Sequence, residues 1–268
     1  MQYTKQVMFP ILFSIGSLHL YTIGFFLAAA FFAMAFVFWR RAREEHFVEE
    51  ELFDAYLLSL VWGVLAARVG FVVFHFEVFG FQVLKWLDVF TYPGVVPLAG
   101  LMVSALLLHR HAKKQRWNAF QVLDFAAVSV ALGFVITWVG LFFDGTGFGY
   151  ATNLPWGMKF PTVFDARHPA QLYAAGLYFA LWAYLTWAEP RYRTFLWYRY
   201  KKDSAQPGYL FTVFLLAYGA FGLLLAFITP PQLMVGSIAV DIPVRLALIG
   251  AGVVMLLNRT GRSLLPGR

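Results

Sequence analysis

Residues 119–143 read AFQVLDFAAVSVALGFVITWVGLFF, and the single charged side chain among them is Asp124. A helix rises 1.5 Å per residue, so about 20 apolar residues cross the hydrocarbon core of a bilayer. This run is long enough to do so. Outward from it, apolar segments recur near residues 20–39, 54–76, 93–109, 169–188, 209–228 and 243–257. The expectation is an all-α, polytopic membrane helix bundle with about seven transmembrane helices in a single domain.

Composition agrees. Of the 268 residues 60% are hydrophobic and 13% are charged. A soluble core of this length could not hide so much apolar surface. There is no cysteine, so disulfides, thiol nucleophiles and cysteine metal sites are excluded. The N-terminal residues 1–9 do not read as a cleavable signal, and the first apolar run leads directly into Arg40 and Arg41, as a retained span would.

The net charge of +7 could suggest nucleic acid, but its placement argues for an insertion signal. Arg40, Arg41 and Arg43 follow the first span. Arg110, Lys113, Lys114 and Arg116 follow the third. Arg191, Arg193, Arg199, Lys201 and Lys202 follow the fifth, and Arg259, Arg262 and Arg268 close the chain. The other side carries Lys5, Lys85, Lys159 and Arg167. Cytoplasmic loops are the ones enriched in Lys and Arg, so the N-terminus is expected outside and the C-terminus inside. No nucleic-acid partner is expected.

Charged groups inside a span are costly and mark candidate function. Arg68 lies about mid-bilayer in its span. It is either a clamp for a lipid phosphate or an internal tie to backbone carbonyls. Asp124 reads as structural, because a carboxylate near a helix start is satisfied by free N–H groups. Arg245 reads as an interfacial residue that snorkels. His75 and His168 sit at outer span ends, where each is either a proton-transfer group or a solvated imidazole. Arg167-His168-Pro169-Ala170-Gln171-Leu172-Tyr173 is the densest polar cluster beside a span, and Pro169 suits a first helical turn. No histidine–carboxylate cluster has metal-ligand spacing and no glycine-rich loop with lysine is present, so neither metal nor cofactor is expected.

These features, in order, resemble the phosphatidylglycerol–prolipoprotein diacylglyceryl transferase family. Leu18-His19-Leu20-Tyr21 is similar to its early aromatic stretch, and Ala67-Arg68-Val69-Gly70-Phe71 to its Ala-Arg-Leu-Gly-Tyr span. Phe120-Gln121-Val122-Leu123-Asp124 is similar to Phe-Gln-Val-x-Asp, residues 167–173 to Arg-His-Pro-Ser-Gln-Leu-Tyr, and Tyr218-Gly219-Ala220-Phe221 to Tyr-Gly-x-Phe. The hallmark Gly-Arg-x-Gly-Asn-Phe-x-Asn-x-Glu-x-x-Gly corresponds to residues 137–149. There Gly140, Phe142 and Gly149 match, while Trp138, Leu141, Asp144 and Thr146 stand at its arginine, two asparagines and glutamate. The family's histidine before Gly-Gly falls at Leu98, and the arginine after Tyr-Gly-x-Phe falls at Gly222.

The resemblance implies lipid transfer to a lipoprotein cysteine at the outer face of a bacterial inner membrane. It implies a phosphatidylglycerol-like phospholipid and a prolipoprotein signal segment as partners. Carried onto this chain, His168 and Asp144 are the candidates for proton transfer. Tyr21, Arg68, Arg167, Gln171, Tyr173, Gly140 and Gly145 are the candidates for binding lipid or substrate. Trp138, Leu141 and Gly222 cannot bind phosphate as an arginine does. The readings are a transferase with a shifted site, a homologue that binds phospholipid or signal segments without catalysis, a structural or assembly subunit without ligand, and a bundle with a changed lipid-modifying reaction.

Overall fold

A computed structural model describes residues 8–192 and 207–259, apart from 17, 90, 232, 236 and 237. The basic residues Lys5, Arg193, Arg199, Lys201, Lys202, Arg262 and Arg268, which entered the orientation argument, lie outside the described residues. The order is β1 (Ile11–Ile15), β2 (Leu18–Tyr21), α1 (Thr22–Glu44), α2 (Glu49–Phe74), the short α3 (Phe76–Phe79) and α4 (Val83–Leu87), α5 (Pro97–Lys114) and α6 (Ala119–Asp144). Then follow β3 (Met158–Lys159), β4 (Ala166–Arg167), α7 (Ala170–Tyr192), α8 (Tyr209–Ala226), β5 (Met234–Val235), β6 (Ile238–Ala239) and α9 (Asp241–Arg259).

Each expected apolar segment lies on one of the long helices. Of these, α1, α2, α6, α8 and α9 are long and apolar enough to cross a membrane. Helix boundaries run past the apolar runs: α1 continues through Arg40 to Glu44, and α5 ends in His111, Lys113 and Lys114. Basic side chains suit the carbonyl end of a helix, so hydropathy falls before the helix does. The chain is mostly helical, as an all-α bundle requires, with three short two-stranded antiparallel hairpins before and between the long helices. In the first, Ser14 pairs with His19 and a bulge separates Ile11 from Phe13.

The central helix is α6, which packs on α1, α5, α7 and α8. It begins at Asn118, whose side chain accepts the Gln121 N–H, and ends at Gly145 in the left-handed region with φ 82°. That conformation is costly for a side chain and free for glycine. On one side of α6, Phe38 of α1 stacks on Tyr56 of α2 at 3.9 Å, and the Tyr56 hydroxyl meets Ser129 Oγ of α6 at 2.9 Å. On the other, Val128 and Ala131 pack with Tyr178 and Leu185 of α7 and Leu210 and Phe214 of α8. The outward faces are apolar: Phe32, Val64, Val73 and Phe179 are all exposed. This inversion of the soluble pattern is what a lipid-facing surface requires.

Close backbone contacts set the helix spacing. A Cβ on Gly100 of α5 would stand 2.7 Å from the Gly63 carbonyl oxygen of α2. Small residues at such crossings let helices approach without a hydrophobic drive between them.

Candidate functional site

The sequence places arginine-like chemistry in doubt at positions 138 and 222, and the fold brings those two positions to the same place. Trp138 of α6 and Gly222 of α8 line a cavity of about 280 Å³, with Tyr178 of α7 and Tyr218 of α8. Gly147 and Phe148 of the loop after α6 close one wall. Asp241 and Arg245 of α9 close the other. The turn after α8, Thr229 to Pro231, forms the rim.

Arg245 is the residue that sequence reasoning misplaced. It does not snorkel away from the bundle. Its guanidinium lies over the backbone of Gly222: a Cβ built there would stand 2.6 Å from Nη1. Its Cζ sits 5.2 Å from the centre of the Tyr218 ring, a distance at which the ring face attracts a cation. Nε is buried with no hydrogen-bond partner. The signal available in the sequence was the glycine at 222, which removes a side chain and leaves room for another.

The Arg167–Tyr173 segment adjoins this cavity behind Phe148. Arg167 Cζ lies 5.7 Å from the Phe148 ring centre. Gln171 is fully buried and its amide donates to the Thr146 carbonyl at 2.8 Å. The Trp156 indole N–H donates to the Tyr173 hydroxyl at 2.8 Å. Three polar atoms here are buried without a partner: Arg167 Nε, His168 Nδ1 and Gln171 Oε1. Unpaired buried polar atoms are costly, and a cluster of them calls for an explanation in function. The segment is held by backbone bonds from Gly149 N–H to the His168 carbonyl and from His168 N–H to the Tyr150 carbonyl.

Other expected site residues do different work. The side chain of Arg68 is committed to the chain itself. Its Nε, Nη1 and Nη2 donate to the carbonyls of Trp86, Tyr92, Gly94 and Asp88 at 2.7–3.0 Å, between the Phe71 and Phe79 rings. Four of its five N–H groups are spent, so the geometry favours the internal tie over the phosphate clamp. Gly140 packs against α1: its missing Cβ would stand 2.8 Å from Phe26 Cγ. Gly145 is a helix terminus. Tyr21 stands exposed at the β2–α1 junction, away from the cavity lining. The Asp144 carboxylate accepts the Thr146 hydroxyl at 2.9 Å and is not part of the lining. Asp124 is structural, and its partners lie on another helix. Its two oxygens accept the N–H groups of Gly208 and Phe211 at 2.8 Å, capping α8.

Among the described residues, no group of three or more His, Asp and Glu side chains is placed to hold a metal ion.

The prolipoprotein diacylglyceryl transferase family model matches residues 10–258, nearly the whole chain. The chain belongs to that family. It is similar to a phosphatidylglycerol–prolipoprotein diacylglyceryl transferase of Bordetella parapertussis, 29% identical with 93% of this chain and 95% of the relative covered. It is also similar to one from Cupriavidus metallidurans, 27% identical over 87% and 85%. A third, from Clostridium tetani, is 23% identical over 82% and 84%. Membership in this transferase family and the apolar helices together make the chain a multi-pass membrane protein.

Proposed function

We propose that this chain moves a diacylglyceryl group from a phosphatidylglycerol-like phospholipid to the cysteine of a prolipoprotein in a bacterial inner membrane. The observation that carries the reading is the convergence of Trp138, Tyr218, Gly222 and the Arg245 guanidinium on one cavity. Two of these positions are where the family pattern holds arginine.

In this reading the bundle crosses the bilayer about seven times, N-terminus out and C-terminus in, with α5 and α7 adding to the five apolar helices. Described basic residues at the ends of α1, α5 and α7 favour that orientation. The lipid headgroup lies in the cavity. One acyl chain follows the apolar groove between α1, α2, α5 and α6, which has about 180 Å³ of space and shares Pro97 and Phe134 with the cavity.

The thiol sulfur forms a bond to the glycerol carbon. The carbon–oxygen bond to phosphate breaks, and glycerol phosphate leaves with the electron pair. The thiol proton goes to a base. Neither His168 nor Asp144 lines the cavity; His168 is the candidate because its Nδ1 is buried without a partner, whereas Asp144 is engaged by Thr146. Arg167 orients the incoming segment, and Gln171 holds the Thr146 loop in place.

The test is complementation. In cells depleted of their own transferase, this chain is expected to restore the mass shift of a lipidated test lipoprotein, and His168→Ala to reduce it. No shift, with the protein folded in the membrane, sinks the transfer. Trp138 favours a second reading, a lipid-binding homologue without catalysis, because indole offers one donor where guanidinium offers five. Phospholipid that copurifies without any lipoprotein shift selects it.

A further inference from the structure

The replaced arginine at position 222 invites the conclusion that the cavity has lost its cation. The helix packing points elsewhere. Arg245 belongs to a different helix, yet its guanidinium occupies the volume that a side chain on Gly222 would take. We infer that Arg245 is the phosphate-binding cation of this cavity, supplied from α9 into the space that Gly222 leaves open on α8. This inference rests on the phospholipid reading above.

Three observations carry it. The first is steric. Any side chain at 222 would displace the guanidinium, since even a Cβ would crowd Nη1 at 2.6 Å. The guanidinium holds its present position because 222 is glycine; a side chain there would push it aside. The second is electrostatic. The ion pairs among the described residues are Arg40–Glu44, Arg41–Glu189 and Arg43–Glu49, so no carboxylate ion-pairs with Arg245 there. Asp241, one turn earlier on α9, accepts the Leu233 N–H at 3.0 Å. A half-buried cation with an unsatisfied Nε is costly, and an anionic ligand offsets that cost. The third is placement. The Tyr218 ring, 5.2 Å from Cζ, holds the guanidinium at the cavity, and a guanidinium fork is what bidentate recognition of phosphate needs.

The chemistry recognised is a phosphate ester at the membrane surface: the phosphoglycerol head of a phospholipid, with its acyl chains in the neighbouring apolar groove. Lysine would supply the charge without the fork.

The experiment titrates the purified full chain in detergent micelles with phosphatidylglycerol and, separately, with diacylglycerol, which has the same chains and no phosphate. Arg245→Ala is expected to weaken phosphatidylglycerol binding about ten- to a hundredfold and to leave diacylglycerol binding unchanged. Arg245→Lys should recover only part of the loss. Gly222→Ala should weaken phosphatidylglycerol binding when Arg245 is present and add nothing to Arg245→Ala. Gly222→Arg in the Arg245→Ala chain should restore binding, because it returns a guanidinium to the same space. Thermal unfolding of each variant separates lost folding from lost binding.

An Arg245→Ala chain that is folded and binds phosphatidylglycerol as tightly as the parent overturns the inference. So does an equal loss for both lipids, which would mean that the cavity has collapsed. A parent chain that binds phosphatidylglycerol through Arg245 yet lipidates no lipoprotein bears this inference out and sinks the transfer. A parent that binds no phosphatidylglycerol sinks both.

Discussion

Asp124 of α6 caps α8 at Gly208, 84 residues along the chain, with a carboxylate oxygen 2.8 Å from the Gly208 nitrogen. Its second oxygen takes the Phe211 N–H. A fully buried carboxylate is tolerated here because both oxygens meet donors at the positive end of a helix. Asp124→Ala should cost about 2–4 kcal/mol, two charge-assisted bonds and a cap. Asp124→Asn, which keeps one acceptor, should recover part of it. Thermal unfolding in detergent checks both. Specific activity per folded molecule should be unchanged.

Arg68 is expected to behave as a structural tie. Arg68→Ala removes four bonds to the carbonyls of residues 86, 88, 92 and 94. It should lower stability by about 3 kcal/mol and expose the segment between α4 and α5 to protease. Phospholipid copurifying per folded protein should stay constant. A fall in bound phosphatidylglycerol without a fall in stability would return Arg68 to the role of phosphate clamp.

Two glycines should respond in opposite ways. Gly140→Ala puts a methyl group against Phe26, across the α1–α6 contact, and should cost about 1–3 kcal/mol by overpacking. Gly176 of α7 has open space where a Cβ would go. Gly176→Ala should be neutral or gain up to about 1 kcal/mol from its better helix propensity. Equal effects at both sites would contradict the packing described.

Arg41 of α1 donates from Nε to Glu189 of α7 at 2.8 Å, with both side chains largely buried, 11% and 15% exposed. A double-mutant cycle of Arg41→Ala and Glu189→Ala should return a coupling of about 1–2 kcal/mol, between surface and buried pairs. Raising salt should reduce it little, since the pair is shielded from mobile ions.

Which of these relationships could be read from the chain depends on their reach. Each apolar run named its helix, because length and hydropathy are local properties. That a carboxylate at 124 would meet free helix N–H groups was legible from its residue type; that the helix it meets is α8 was not, since the partner is tertiary. The two roles considered for Arg68 could be separated only by the carbonyls around it. Gly140 resembled a binding position because it falls in a hallmark run, and only the approach of Phe26 shows it as packing. Arg245 was the largest miss. A charge near a helix end looks interfacial, and what changes its meaning is the absence of a side chain on another helix. The second and third hairpins were invisible because two-residue strands carry no periodicity.

The Arg41–Glu189 pair also bears on how the bundle is made. Arg41 leaves the ribosome 148 residues before its partner. At about 5–20 residues per second, that is a wait of roughly 7–30 s. Until α7 arrives, Arg41 lacks the Glu189 carboxylate that pairs with it. Closure of the Arg41–Glu189 bridge is therefore a late event in biogenesis. A chain truncated before Glu189 should leave α1 inserted and unlatched.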